Sequence, residues 1–294
     1  MNKSVKKMSL SLKGLLFEKV SKDRELNLQI FLSSIFLKVL ETKQLIKPSL
    51  YLFNTNGKNY NITSKYLEGI RFLNENFDNF YILNEIKNKI SPQILKEISD
   101  LLLLVKENDW KNEEIISWSY EYYNNSINDK NNNLSQFYTP KWIADYLIEN
   151  SLNNYFRNNP DIDIESIKII DPACGCGNFI LRVYDYLRDI YLKKGYSKQE
   201  TAKIIISNNL YGFDVDSNSV EVTNLLLKLK SLEDEQTMDL ETNITSLKNE
   251  NEKNFLSRKL SVLGSLTKKE DILRLKEKNS NNKTQKKTFG HTFF

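Results

Sequence analysis

The residues Asp171 to Phe179 read DPACGCGNF and follow directly on a short apolar run, Ile167-Lys168-Ile169-Ile170. The chain has nine glycines and two cysteines in 294 residues, and this one turn takes two of the glycines and both cysteines. An apolar run closed by a carboxylate and then by a glycine-bearing turn limits what can be built around it. The turn is a metal or redox site, a tight structural turn, or a loop through which the backbone approaches a bound cofactor.

The metal reading lacks ligands. One residue separates Cys174 from Cys176, too few for an easy disulfide and short of the roughly two to four common in zinc knuckles. The single histidine, His291, stands at the far end of the chain. With no other Cys/His cluster in the sequence, no metal ligand is assigned.

Length allows two domains, or one large one, with a substantial core. The longest uncharged apolar stretch, Leu26 to Leu37, falls well short of the roughly 18 residues that a membrane-spanning helix needs. The N-terminus, MNKSVKKMSLSLKGLLF, has no sustained apolar core and no small-residue cleavage site, so a cytoplasmic protein with no membrane partner is expected. The net charge of +4 suggests nucleic acid less than its size implies, because six Lys/Arg against one acid follow Ile272, whereas Met1 to Asp271 carries 36 basic and 37 acidic residues. Such a tail reads as a solvated end.

The first part of the chain is patterned for helices. Glu25 to Ile46 and Pro92 to Val105 place apolar residues three and four apart, with Ser91 as cap and Pro92 in the first turn of the second. A third helix is expected over Asn112 to Tyr123, its aromatics serving as core. This gives a helical N-terminal domain, residues 1–123. Residues 124–135, asparagine-rich and poor in apolar side chains, read as a linker. From residue 136 to 294 the pattern changes. Thr139-Pro140 predicts a helix start, and KWIADYLIENSLNNYF continues it. Short apolar runs at Ile167 to Ile170, Leu210 to Phe213 and Lys259 to Leu263 then alternate with helical patterns, predicting an α/β layer with a mostly parallel sheet.

Ligands of such sheets bind at the carboxyl ends of the strands. Asp171 ends one predicted strand, and Asn178-Phe179 opens the next helix. Gly175 and Gly177 let backbone amides approach a ligand whose cationic group faces Asp171. Asp214 ends the next strand in YGFDVD, where a carboxylate can accept hydrogen bonds from two ribose hydroxyls. Together they describe a nucleoside cofactor with a positively charged amino-acid end. A nicotinamide site fits less well: its glycine fingerprint has an acid roughly 20 residues on, whereas here the acids lie 43 positions apart with no third glycine.

DPACGCGNF resembles motif I of the S-adenosylmethionine-dependent amino-methyltransferases, whose usual form has serine where Cys176 stands. Phe137-Tyr138-Thr139-Pro140 resembles their motif X, YGFDVD their motif II, and, more weakly, Leu263-Gly264-Ser265-Leu266 their motif III. The order is similar to that of N6-adenine DNA methyltransferases, and Trp118 to Tyr123 looks like the region before FYTP in large type IIG restriction-modification and BREX-type phage-defence enzymes. The resemblance implies that Asp171 holds the methionine amino group, with Pro172, Ala173, Gly175, Gly177, Asn178 and Phe179 forming the turn about that end of S-adenosyl-L-methionine. It further implies that Asp214 binds the ribose, that Val215 packs on the adenine, and that Phe137, Tyr138, Thr139 and Pro140 close over the methionine side.

The family's catalytic motif, [DNS]-P-P-[YFW], is absent: the prolines are Pro48, Pro92, Pro140, Pro160 and Pro172, and no two are adjacent. The fold class expected is therefore α/β, a helical N-terminal domain followed by an incomplete Rossmann-like methyltransferase domain. In this class the first strand is central, so a chain ending after its third strand would leave strand 1 as an open edge. The expected reading is an adenine-N6 DNA methyltransferase cut short and inactive alone, reaching DNA through a missing C-terminal region. The alternative is a non-catalytic cofactor-binding or scaffold subunit whose sheet a second chain completes. Glu41-Thr42-Lys43 with Asp23 upstream is the nearest local match to a PD-(D/E)xK nuclease, but both lie in helical pattern and no nuclease is assigned.

Overall fold

The computed structural model describes residues 3–47, 49, 61–77, 86, 89–125, 139, 141–234, 240–247 and 291–293. The chain divides into two compact units, Met1–Gln136 and Phe137–Phe294.

The first unit is helical: α1 (Lys3–Lys19), α2 (Arg24–Thr42), α3 (Ile62–Asn76), α4 (Pro92–Leu102) and α5 (Glu114–Asn125). Helix α2 is its centre, buried without interruption from Leu26 to Glu41. A helix covered on all sides needs partners for its polar positions. Ser34 Oγ meets the Tyr66 hydroxyl at 3.0 Å, and Lys38 Nζ donates to Glu107 Oε2 at 2.8 Å. Aromatic packing closes the rest, with Phe31 against Tyr123 and Phe36 edge-on to Phe77 at centroid distances of 4.8 and 4.9 Å.

Helix α2 begins where its cap dictates, at Asp23, whose carboxylate accepts from the N–H groups of Glu25 and Leu26. It stops at Thr42, short of the expected Ile46. Gln44 takes φ +58°, and the Leu45 N–H returns to Leu40 O, a left-handed end that the sequence does not announce with a glycine. Asp23 and Glu41 thus sit at opposite ends of one helix, about 27 Å apart at 1.5 Å per residue, and form no common nuclease site. Helix α4 starts as its sequence predicts, with Ser91 Oγ accepting from Ile94 N–H.

The second unit opens with α6 (Lys141–Ile148), which continues through a π turn, Glu149–Asn153, into one further turn, Asn154–Asn158. Then follow β1 (Ile167–Asp171), α7 (Asn178–Lys193), α8 (Lys198–Ile204), β2 (Leu210–Asp214), α9 (Ser217–Glu233), β3 (Ile244–Ser246) and β4 (His291–Phe293). The four strands form a parallel sheet in the order β3-β2-β1-β4. Strand β1 is buried up to its final aspartate, and β2 likewise except for the half-buried Tyr211, consistent with strands covered on both faces. Asn209, fully buried at the entry to β2, accepts from the Tyr191 hydroxyl and donates to Ile164 O and Ile167 O, tying the starts of β1 and β2 together. At the other end of the helical layer, Asp234 clasps Arg188 and the Tyr184 hydroxyl.

One expectation is corrected. Strand β1 is not an edge: β4 pairs with it in the register Ile167↔His291, on the side away from β2. The strand paired with β2 is Ile244–Ser246, in a threonine- and asparagine-flanked stretch with one apolar residue facing inward, so its apolar signal is weak. The run Lys259 to Leu263, the motif III candidate and most of the linker lie outside the described residues. Among the described residues, no helix is long and apolar enough to cross a membrane.

Candidate functional site

The parallel register Asp171↔Gly212 and Gly212↔Ile244 brings the carboxyl ends of β1, β2 and β3 side by side. Successive strands of one direction end in Asp171 and Asp214, and the chain after β1 must turn sharply to enter α7. Gly175 and Gly177 make that turn in the left-handed region, at φ +51° and +78°, where a side chain would be strained. At Gly177 there is no room for one either, since an added Cβ would lie 2.7 Å from Thr223 Cγ2.

The turn is stitched to the second strand. Cys174 N–H donates to Phe213 O at 2.9 Å, and Gly175 N–H donates to Asp214 Oδ2 at 2.8 Å. The other oxygen of Asp214 accepts from Asp216 N–H at 2.8 Å. Asp216 caps α9, accepting from Asn218 N–H and the Ser219 hydroxyl. One turn further on, Thr223 Oγ1 donates to Gly175 O at 2.9 Å. The Gly175 residue is held on both sides, by N–H to β2 and by C=O from α9.

The electrostatics favour a cation. Crowding by protein atoms pushes the Asp171 carboxyl up to about 6; the Ala173 N–H opposes this and the negative Asp214 adds to it. Burial raises Asp214 as well, against the N–H groups of Asp216 and Gly175 that hold it down. Among the described residues, no lysine or arginine pairs with either carboxylate. Both acids are raised first by burial, Asp171 further by the negative Asp214 and Asp214 by Asp216, and a positive group entering beside them favours their ionised forms. The cysteines do the opposite of a metal site: both are free and buried, and burial with the nearby carboxylates lifts the Cys174 thiol well above its ordinary value, leaving it inert.

Of the residues singled out in the sequence, Asp171, Pro172, Ala173, Gly175, Gly177, Asn178, Phe179, Asp214 and Val215 fall together on this turn and the two strand ends. Pro172 and Gly177 are buried, Ala173 is exposed, and the others are half-buried. Thr139 is exposed, with its carbonyl 3.5 Å from Asn178 Nδ2. Phe137, Tyr138 and Pro140 lie outside the described residues. Asp216, Ser219 and Thr223 were not foreseen. Their trace in the sequence is a polar i, i+3, i+7 stripe on α9, with Ser219 and Thr223 buried in a helix otherwise rich in leucine.

Residues 150–256, which carry both strand ends and the turn between them, match the family described as MmeI, DNA-methyltransferase domain. This segment is similar to the MmeI DNA-methyltransferase domain. Over 188 residues the chain is 26% identical to the adenine-specific methyltransferase BrxX of Escherichia coli O9:H4 (strain HS), covering 49% of this chain and 16% of that protein. Over 186 residues it is 29% identical to the adenine-specific methyltransferase PglX of Lacticaseibacillus casei (strain Zhang), covering 45% and 16%. The chain thus spans about a sixth of the length of these curated relatives. Its fold is similar to that of the type IIL restriction-modification enzyme MmeI, solved in complex with DNA, with a TM-score of 0.50 at 15% identity over 84% of this chain and 40% of that one. The MmeI-type segment begins within the π turn after α6 and ends beyond β3, so it contains the whole glycine turn.

Proposed function

We propose that the chain is the cofactor-binding part of an adenine-N6 DNA methyltransferase of a restriction-modification or phage-defence system, working in the cytoplasm with S-adenosyl-L-methionine as methyl donor. The observation that carries this reading is the pair of carboxylates, Asp171 and Asp214, ending adjacent parallel strands beside a glycine turn, with no cation among the described residues to neutralise them. Kinship with adenine-specific methyltransferases supports the reaction class.

In this reading Asp171 receives the amino group of the methionine part and Asp214 the ribose hydroxyls. Gly175 and Gly177 leave room for that end, Pro172, Ala173, Asn178 and Phe179 shape the turn, and Val215 flanks the adenine. Thr139 at the start of α6, with Phe137, Tyr138 and Pro140, covers the methionine side. The bound cofactor supplies an electrophilic methyl group on a sulfonium sulfur. The chain's own contribution is to place two negative charges and a closed backbone turn around a cationic nucleoside. Methyl transfer to DNA further needs a [DNS]-P-P-[YFW] segment, which these 294 residues do not contain, so the chain alone is expected to bind without transferring.

Equilibrium dialysis with labelled S-adenosylmethionine tests the reading. Retention that S-adenosylhomocysteine displaces and NAD+ does not is the expected result. Retention of NAD+ in its place, or of neither, contradicts it.

A further inference from the structure

Thr223 lies two turns into α9, with no exposed surface, and does two separate things to the turn between β1 and α7. Its hydroxyl donates to Gly175 O at 2.9 Å, with the Ser219 carbonyl as a second acceptor at 3.1 Å. Its γ-methyl stands where a side chain at position 177 would be, 2.7 Å from an idealised Cβ there. Thr223 therefore grips the turn at both of its left-handed glycines. The grip acts on the same residue whose N–H is bonded to Asp214, so the hydroxyl of Thr223 and the carboxylate of Asp214 hold Gly175 from opposite sides.

A threonine hydroxyl buried in the middle of a helix ordinarily satisfies itself on the carbonyl one turn back, and Ser219 O is in place for that. The added bond to Gly175 O comes from another segment and fixes the direction of a peptide group facing the strand ends. Valine would fill the same space and leave that carbonyl unheld. A turn free to rotate there must be ordered when ligand binds, which costs affinity.

We propose that Thr223 is a positioning residue for the cofactor: it sets the Gly175 peptide so that Asp214 and the turn are preformed for the nucleoside. The proposal rests on the reading of the site as one for S-adenosylmethionine. It predicts that affinity follows the hydroxyl rather than the bulk of residue 223.

The test is calorimetric titration of S-adenosylmethionine into the full chain and its Thr223→Val, Thr223→Ser and Thr223→Ala variants, each checked for folding by circular dichroism. The expected pattern is Thr223→Ser within about threefold of the unaltered chain and Thr223→Val weaker by roughly five- to tenfold, the scale of one hydrogen bond. Thr223→Val binding within threefold of the unaltered chain overturns the proposal. Should Thr223→Val fail to fold, Thr223→Ser must bind at least about threefold tighter than Thr223→Ala, and equal binding by the two overturns it. Absence of binding by the unaltered chain overturns instead the cofactor reading beneath it.

Discussion

The backbone N–H of Gly175 donates to Asp214 Oδ2 over 2.8 Å, joining two residues 39 positions apart. The bond makes the turn after β1 and the carboxylate at the end of β2 a single object. Neither keeps its geometry without the other, and a change at either is felt by both. Asp214 Oδ1 is engaged in the same way by Asp216 N–H, so the carboxylate needs both oxygens as acceptors.

Asp214→Asn is therefore a sharper probe than its size suggests. An amide has one acceptor oxygen, and its NH2 group must face one of the two backbone donors. Stability should fall by about 1–3 kcal/mol, the cost of a buried donor left without a partner, measured as the midpoint shift in urea unfolding. No loss of stability would mean that the carboxylate does not organise the turn.

The raised carboxyl of Asp171 sets a pH dependence. Its folded value, about 6, lies above the ordinary 3.8, so the protonated form is favoured by folding. The stability it contributes is complete below about 4 and is lost as pH rises through about 6. Asp171→Asn keeps an acceptor for the Ala173 N–H and never ionises. Its melting temperature should exceed that of the unaltered chain by roughly 3–8 °C at pH 7, and the difference should vanish near pH 4. Equal melting temperatures at pH 7 would count against an uncompensated charge at this position.

The same carboxyl couples ligand binding to protons. A cationic ligand pulls its ionisation back down, so binding between about pH 4 and 6 releases a proton and affinity rises with pH through that interval. Calorimetry in buffers of different ionisation enthalpy reads the proton count directly. Proton uptake, or none at pH 5, would contradict a cation at Asp171.

Gly177 and Gly195 both adopt positive φ, at +78° and +92°, but only Gly177 has a neighbour where a Cβ would go. Gly195→Ala should cost about 1 kcal/mol through backbone conformation alone. Gly177→Ala adds the collision with Thr223 and should cost at least about 2 kcal/mol. Denaturant midpoints of the two variants compare them, and equal losses would rule out the close contact.

In the helical unit, Lys38 is almost wholly buried and its partner Glu107 is more than half exposed. Burial alone would raise the Glu107 carboxyl, yet the Lys38 ammonium holds it below the usual range. Glu107→Gln strands the lysine charge and should destabilise by about 3 kcal/mol, whereas Lys38→Met leaves only an exposed acid and should cost less. The order of the two unfolding midpoints decides the point.

Strands β1 and β2 and their closing aspartates are legible in the sequence because local signals coincide there: an apolar run, an acid, then a turn rich in glycine. Helices α2 and α4 are legible for a similar reason, a periodic face behind a capping residue. What was not legible depends on contacts between distant segments. Strand β3 has one inward apolar residue, Ile244, and exists because Gly212 and Asp214 pair with it. Strand β4 covers β1 from 124 positions away, His291 against Ile167, and its three residues carry no pattern of their own. Thr223 looks like an ordinary helix residue until the turn it faces is in place. The early end of α2 at Gln44 was missed because a glutamine does the work usually left to glycine.

The central claim is that Asp171, Asp214 and the glycine turn form a site for S-adenosylmethionine. Isothermal titration of that compound into the unaltered chain and Asp214→Ala tests it most directly. One molecule bound per chain, with binding lost or weakened at least about a hundredfold in the variant, is the predicted result, since the proposed ribose contacts and the anchor of the turn go together. Equal binding by the two proteins, or none by the unaltered chain while it remains folded, would contradict the account.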